Sequence, residues 1–289
     1  MGPRPDLTAM RGTRRQAFLL LLPCVLALVV LFVLPQFLMF EASLGRRSAY
    51  GGVIHEWALG NYARALQPLY LRILARSIGL AFATTLLCLL AAYPVAYWLG
   101  LKVSPRWRNA LLVLVILPFW TSFLVRMYAW IFMLRSEGLV NLFLGGLGLP
   151  ALNLLYNDLA VMIGQVYGEL PFMILPLYAS LEKLDRSLLE AAADLGAGPA
   201  QALWRVTVPL TAPGIVAGCV LVFIPSLGAY LAPDLLGGAR TVYIGNLIQS
   251  QFAVARDMPF GSALSFLLSL TVLALLFLFR KPLRAAEQG

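Results

Sequence analysis

Side chains able to do chemistry are few in this sequence and stand far apart. Glu169 and Arg126 are each the single charge inside a long apolar run, and His55 is the only histidine. General acid–base work needs a donor and an acceptor within reach of one substrate atom. Ionisable groups scattered one to a run therefore argue against an enzyme, and against an intramembrane hydrolase in particular. No GxxxxGK(S/T) phosphate cradle, HExxH pair or CxxC motif is present, and a lone histidine in a polar stretch is ordinarily solvated. Cys24, Cys88 and Cys219 lie in apolar stretches as small hydrophobes, with neither a disulfide nor a metal site indicated. With no catalytic residue and no metal ligand to name, the chemistry left is recognition and passage.

The frame that must hold these residues is a membrane. Of 289 residues 61% are hydrophobic and 12% charged, and the mean hydropathy is +0.83, far from the soluble average. A spanning helix takes roughly 20 mainly apolar residues. The sequence predicts an all-α membrane protein of six transmembrane helices at about 17–40, 77–101, 109–134, 159–181, 207–233 and 258–279, the third and fourth carrying Arg126 and Glu169. Arg11, Arg14 and Arg15 precede the first run as in a signal peptide, but the run is too long and no small-x-small site closes it, so it reads as a retained helix.

Lys and Arg bias orients the bundle. With the N-terminus inside, the inner segments hold Arg4, Arg11, Arg14, Arg15, Lys102, Arg106, Arg108, Lys183, Arg186, Arg205, Arg280, Lys281 and Arg284. Both termini are thus expected in the cytoplasm. The formal charge of +9 reads as this topology signal, and without a basic patch interleaved with aromatics no nucleic-acid partner is expected. The organisation is a cytoplasmic segment 1–16, one transmembrane domain 17–280 and a cytoplasmic tail 281–289. In the long first outer loop, Trp57, Asn61, Tyr62 and Leu66 have helix-like spacing, which suits a short surface helix or an ordered loop.

One polar-to-amphipathic insert, EAAADLGAGPAQALWRVTVP at 190–209, interrupts the apolar runs. Ser187 and Glu190 fit a capping box, Ala191, Ala192 and Ala193 are strong helix formers, and Gly196 is placed to end the helix in a left-handed conformation. Pro199 suits the first position of a second helix, and Pro209 would open the fifth span. The expectation is a helix–turn–helix on the cytoplasmic face, with small residues that a partner protein can approach closely.

This segment resembles the EAA motif of ABC importer permeases: EAA, three residues, Gly, nine residues, then aliphatic, any residue, aliphatic and Pro. Glu190, Ala191, Ala192, Gly196, Val206, Val208 and Pro209 fall on the pattern. The resemblance implies a type I ABC importer permease (MetI-like) fold. It also implies that the coupling loop 183–209, through Ser187, Glu190, Ala191, Ala192, Leu195, Gly196 and Ala197, sits in a cleft of a separate ATPase, expected in two copies. ATP would be used there, with no cofactor bound by this chain. A second, similar permease would complete the pathway, and a periplasmic or extracellular binding protein would deliver substrate. The location implied is the bacterial cytoplasmic (inner) membrane, in contact with lipid.

Three stretches, LPFWTSFLVRMYAW at 117–130, YGELPFMILPLYASLEKLD at 167–185 and FIPSLGAYLAPDLLGGARTVYIGNLI at 223–248, look like the polyamine permeases of the PotB type. The substrate implied is spermidine or putrescine, with opines and amino-acid derivatives as alternatives within the family. A polycation in a low-dielectric path wants carboxylates and aromatic faces. Glu169, beside Tyr167, either faces the pathway or pairs with Arg126. Asp234 follows Pro225, Gly228 and Pro233, which interrupt the fifth helix, and either serves a gate or caps a turn. Tyr230 and Trp120 are candidate aromatic faces or packing residues. Gly164 with Gly168, and Gly214 with Gly218, would let the fourth and fifth helices pack backbone to backbone.

Overall fold

In a lipid medium a chain must satisfy its own backbone hydrogen bonds, and this one does so almost entirely with helices. The computed structural model describes residues 20–48, 52–238 and 241–287, with side chains through 277. The segment 1–16 and Arg240 lie outside the described residues.

Helix α1, Leu20–Ser43, includes a π-helical turn at Val29–Val33. A two-residue antiparallel hairpin follows, β1 (Arg46–Arg47) with β2 (Val53–Ile54), and then α2, Gly60–Ala65. The surface helix suggested by the 57–66 spacing is thus present as α2. Its Asn61 amide donates to the Ser43 and Gly45 carbonyls at 2.9 and 2.8 Å, closing the orphan end of α1.

The second spanning helix, α3, runs Pro68–Lys102 and so begins well before the apolar run at 77. Its extra turns carry Arg76, whose Nη2 donates to both oxygens of Asp158 at 2.6 and 2.7 Å, while the Tyr243 hydroxyl donates to the same carboxylate at 2.7 Å. That charge needs no loop to reach a partner.

The third expected span, 109–134, is broken. Helix α4, Pro105–Trp120, meets the segment Phe123–Gly146, made of α5, Phe123–Leu134, and α6, Leu139–Gly146, at 87° across Thr121 and Ser122. Pro118 supplies no amide donor, and the Thr121 hydroxyl takes up the Pro118 carbonyl at 2.6 Å. Helix α7, Asp158–Glu182, starts where Asn157 Oδ1 accepts the Ala160 amide at 2.9 Å.

Next come α8, Arg186–Asp194, and α9, Pro199–Leu210, which meets α10, Ala212–Gly228, at 69°. Pro209 therefore lies in the last turn of α9, and the fifth span opens at Ala212 and stops at Gly228. Helices α11, Leu231–Leu236, and α12, Ile244–Ala253, lead into α13, Met258–Glu287, which continues past the expected end at 279. Among the described residues four helices are long and apolar enough to cross a membrane, and six if each bent pair counts as one.

The core sits where α3, α7 and α10 pack on one another. Ala81, Cys88, Ala92 and Ala96 form a fully buried stripe of small residues on α3. Cys88, Ala92 and Ala96 face Met173, Leu177 and Leu181 of α7 and Val222 of α10. Without hydrophobic driving force inside lipid, such close approach supplies the dispersion energy of association.

Gly214 and Gly218 serve this seam as expected: an added Cβ would lie 2.6 Å from the Pro176 carbonyl at one and 2.7 Å from Met173 Sδ at the other. Gly164 and Gly168 do not. They admit Leu236 of α11, Met127 of α5 and, 2.8 Å from a built Cβ, the Phe123 ring, so their face of α7 packs on the broken third span. Gly214→Leu should therefore lower the thermal midpoint in detergent by several degrees, an overpacking cost of about 1–3 kcal/mol. Gly79→Leu, where an added Cβ meets nothing within 4 Å, should shift it far less; equal midpoints would show a loose seam.

Candidate functional site

The 183–209 loop is built by local backbone chemistry. Asp185 caps α8, its Oδ1 accepting the Ser187 amide at 2.9 Å. The capping box expected at Ser187 and Glu190 is not formed: Asp185, two residues earlier, takes the cap, and Ser187 and Glu190 are both exposed on the helix. The Ser187 amide holds the Asp185 carboxyl below the ordinary carboxylate range, so the cap is ionised at neutral pH and its contribution fades only as pH falls through that lowered value.

The far end follows expectation. Gly196 sits at φ +83°, its amide donates to the Ala193 carbonyl and the Ala197 amide to Ala192, both at 2.9 Å, which is a Schellman closure. Pro199 starts α9 with Gly198 as its cap. Leu195 is 90% exposed and Trp204 69%, so the loop presents apolar side chains on a surface shaped by Ala191, Ala192, Gly196 and Ala197.

The loop is fastened to the bundle at both ends. Arg108, at the start of α4, donates to Glu182 Oε1 at 3.0 Å and to the Gly100 carbonyl at 3.1 Å. The last turn of α7 is thus joined to the last turn of α3, just before α8. At the other end Thr211, at the 69° bend, bonds the Thr207 carbonyl at 2.8 Å and the Tyr93 hydroxyl of α3 at 3.1 Å. Neither Arg108 nor Thr211 was legible as part of the loop, because their partners are far away in sequence.

The six candidate pathway residues are not gathered into one site. Arg126 is buried on α5, its guanidinium carbon 4.4 Å from the centre of the Phe119 ring, 5.4 Å from Phe123 and 5.9 Å from Tyr167. Tyr167 also packs edge-on against Trp130 at 5.6 Å. Arg126 and Glu169 form no ion pair: Arg126 Nε and Nη1 and Glu169 Oε2 are buried without hydrogen-bond partners. Glu169 lies one helical turn from Gln165, a buried amide that accepts from Thr84 Oγ1 at 3.1 Å and reaches the Ser226 carbonyl at 3.5 Å. Gln165 was missed in the sequence, where a single amide in an apolar run carries no signal until its position four residues before Glu169 is noticed.

Trp120 stands apart, 80% exposed at the helix break. Asp234 is exposed on α11 and lines a depression of about 280 Å³ with Asn246 and Ser250. Tyr230 lines a separate groove of about 650 Å³ with Gln249 and Phe252. The arrangement offers hydrogen-bonding groups at membrane depth and a capped, exposed docking loop.

The family model described as "Binding-protein-dependent transport system inner membrane component" matches residues 92–281. The chain belongs to this family. It is 43% identical over 259 residues to the spermidine/putrescine transport system permease protein PotB of Escherichia coli, covering 89% of this chain and 94% of that one. It is 42% identical over 254 residues to the protein of the same name from Haemophilus influenzae, covering 87% and 88%. A solved bacterial ABC transporter involved in alginate import shares the fold, with a TM-score of 0.78 at 17% identity, covering 96% of this chain and 99% of that one. As an inner membrane component of an ABC importer, the chain is a permease and not an enzyme.

A guanidinium buried on ring faces with no carboxylate beside it is costly to desolvate. Arg126→Met, similar in length and apolar, should leave the unfolding free energy in detergent unchanged or raise it, by up to about 4 kcal/mol. A clear fall would show that the guanidinium is paired in the folded protein.

Proposed function

We propose that this chain is one of two permease subunits of an ATP-driven importer of polyamines such as spermidine or putrescine. Both of its termini are cytoplasmic, and the 183–209 loop docks in an ATPase present in two copies. What supports the substrate class is the identity of 42% and 43% to the two polyamine permeases over nearly the whole chain. A binding protein on the outer face delivers the amine, and the second permease closes the pathway. ATP is bound and hydrolysed by the partner ATPase.

In this reading Ser187, Glu190, Ala191, Ala192, Leu195, Gly196 and Ala197 form the docking surface. Glu169 supplies a carboxylate to the pathway and Tyr167, Tyr230 and Trp120 supply aromatic faces, with Asp234 at the outer mouth. A carboxylate in a low-dielectric path is worth far more to a cation than one in water. The alternative solute class is an amino-acid derivative, which also bears a carboxylate. In proteoliposomes holding the full transporter, unlabelled spermidine should compete with labelled putrescine while carboxylated amines do not; the reverse would establish the second class.

The docking role has its own test. A Cβ at Gly196 would meet nothing within 4 Å, so Gly196→Val costs only the strain of a left-handed backbone, about 1–2 kcal/mol, and fills the surface offered to the ATPase. Membrane insertion should be retained while uptake per ATP hydrolysed collapses. Normal uptake with normal substrate-stimulated ATPase would refute docking at this surface.

A further inference from the structure

Helix α10 stops at Gly228, short of the end of the bundle, and Ala229 turns to an extended backbone at ψ 133°. A helix C-terminus carries a partial negative charge on its unsatisfied carbonyls. Among the described residues no amide of a neighbouring element donates to the Gly228 or Ala229 carbonyl oxygens. Gly245 of α12 packs closely on this turn: an added Cβ would lie 2.6 Å from the Gly228 oxygen and closer still to the Ala229 oxygen, so a side chain there would close the groove at this end.

The groove they border, of about 650 Å³, is also lined by Tyr230, Gln249, Phe252, Ser265 and Ser269. Among the described residues the Tyr230 hydroxyl and the Gln249 amide make no hydrogen bond, and Tyr230 is 43% exposed. No Lys or Arg lines the groove. Ser265 and Ser269 lie two to three turns into α13 from Met258, so the groove reaches on the order of 10–16 Å along that helix. Polar groups left unpaired by the protein along a spanning helix take water, protein or a polar ligand as partner.

We propose that this groove is a subsite for an alkylammonium group of the transported solute. An ammonium has three donors; the Gly228 carbonyl and the Gln249 amide oxygen, both bordering the groove, are acceptors for it. Tyr230 and Phe252 supply ring faces that attract a cation, and Leu268 gives the methylene chain an apolar wall. The broken end of the fifth helix thus adds a cation-binding subsite without a carboxylate to the path. The subsite rests on the polyamine reading above.

The test uses the complete transporter in proteoliposomes with putrescine and spermidine as probes. Tyr230→Leu should raise KM about tenfold, the loss of one desolvated cation–ring contact. Gln249→Glu should lower KM, more for spermidine than for putrescine, and Gln249→Lys should abolish uptake while the subunits still co-purify. A packing role would move both Gln249 variants in the same direction, and that result, or an unchanged KM in both, overturns the subsite. Loss of the second permease from both variants would also overturn it, making the groove a subunit contact. If the wild-type transporter carries neither amine, the polyamine reading itself falls and the subsite with it.

Discussion

Satisfaction of backbone hydrogen bonds away from water governs this molecule. A helix satisfies its amides internally, so it can cross lipid anywhere, but it can break only where protein or water takes over the freed groups. The breaks are therefore informative. At Thr121 the side-chain hydroxyl takes the Pro118 carbonyl, and at Thr211 it takes the Thr207 carbonyl while meeting Tyr93. At Gly228 no donor among the described residues takes the freed carbonyl, and the break opens onto a groove. Two of the interruptions are sealed and one is not, which separates bends that shape the bundle from a break that faces a ligand.

The sealed bends frame a rigid unit. Small residues on α3 and glycines on α10 let both helices approach α7 closely, and dispersion falls off so steeply with distance that such seams behave as bistable rather than elastic. Arg108 and Thr211 tie the two ends of the 183–209 loop to α3. Displacement of α8 and α9 is thereby delivered to the packed helices instead of being absorbed in the loop, the property a coupling element needs.

What could be read from the sequence was whatever local chemistry determines. Gly196 was legible because only a residue without Cβ enters the left-handed region cheaply, and Pro199 because its fixed φ suits a helix start. The Asp185 cap was missed because Ser187 and Glu190 matched a capping box equally well on paper. The break in the third span was hidden because Pro118 in an apolar run also fits a straight, locally adjusted helix. For Glu169 and Arg126, opposite charge and similar depth suggested a pair, but whether two side chains meet depends on helix rotation, which hydropathy does not encode. Gln165, Arg108 and the carbonyls at Gly228 act through partners distant in sequence or through the backbone, and no pattern of residue types announces them.

The account stands on the 183–209 loop as the seat of an ATPase, and Leu195, 90% exposed in the isolated chain, reports on it directly. Leu195→Cys, in a background with Cys24, Cys88 and Cys219 replaced, should react readily with a membrane-impermeant maleimide in inside-out vesicles holding the permeases alone. With the ATPase bound the reaction should be slowed by at least about tenfold, the loss expected when an exposed side chain enters a protein cleft. Equal labelling rates with and without the ATPase would contradict the account.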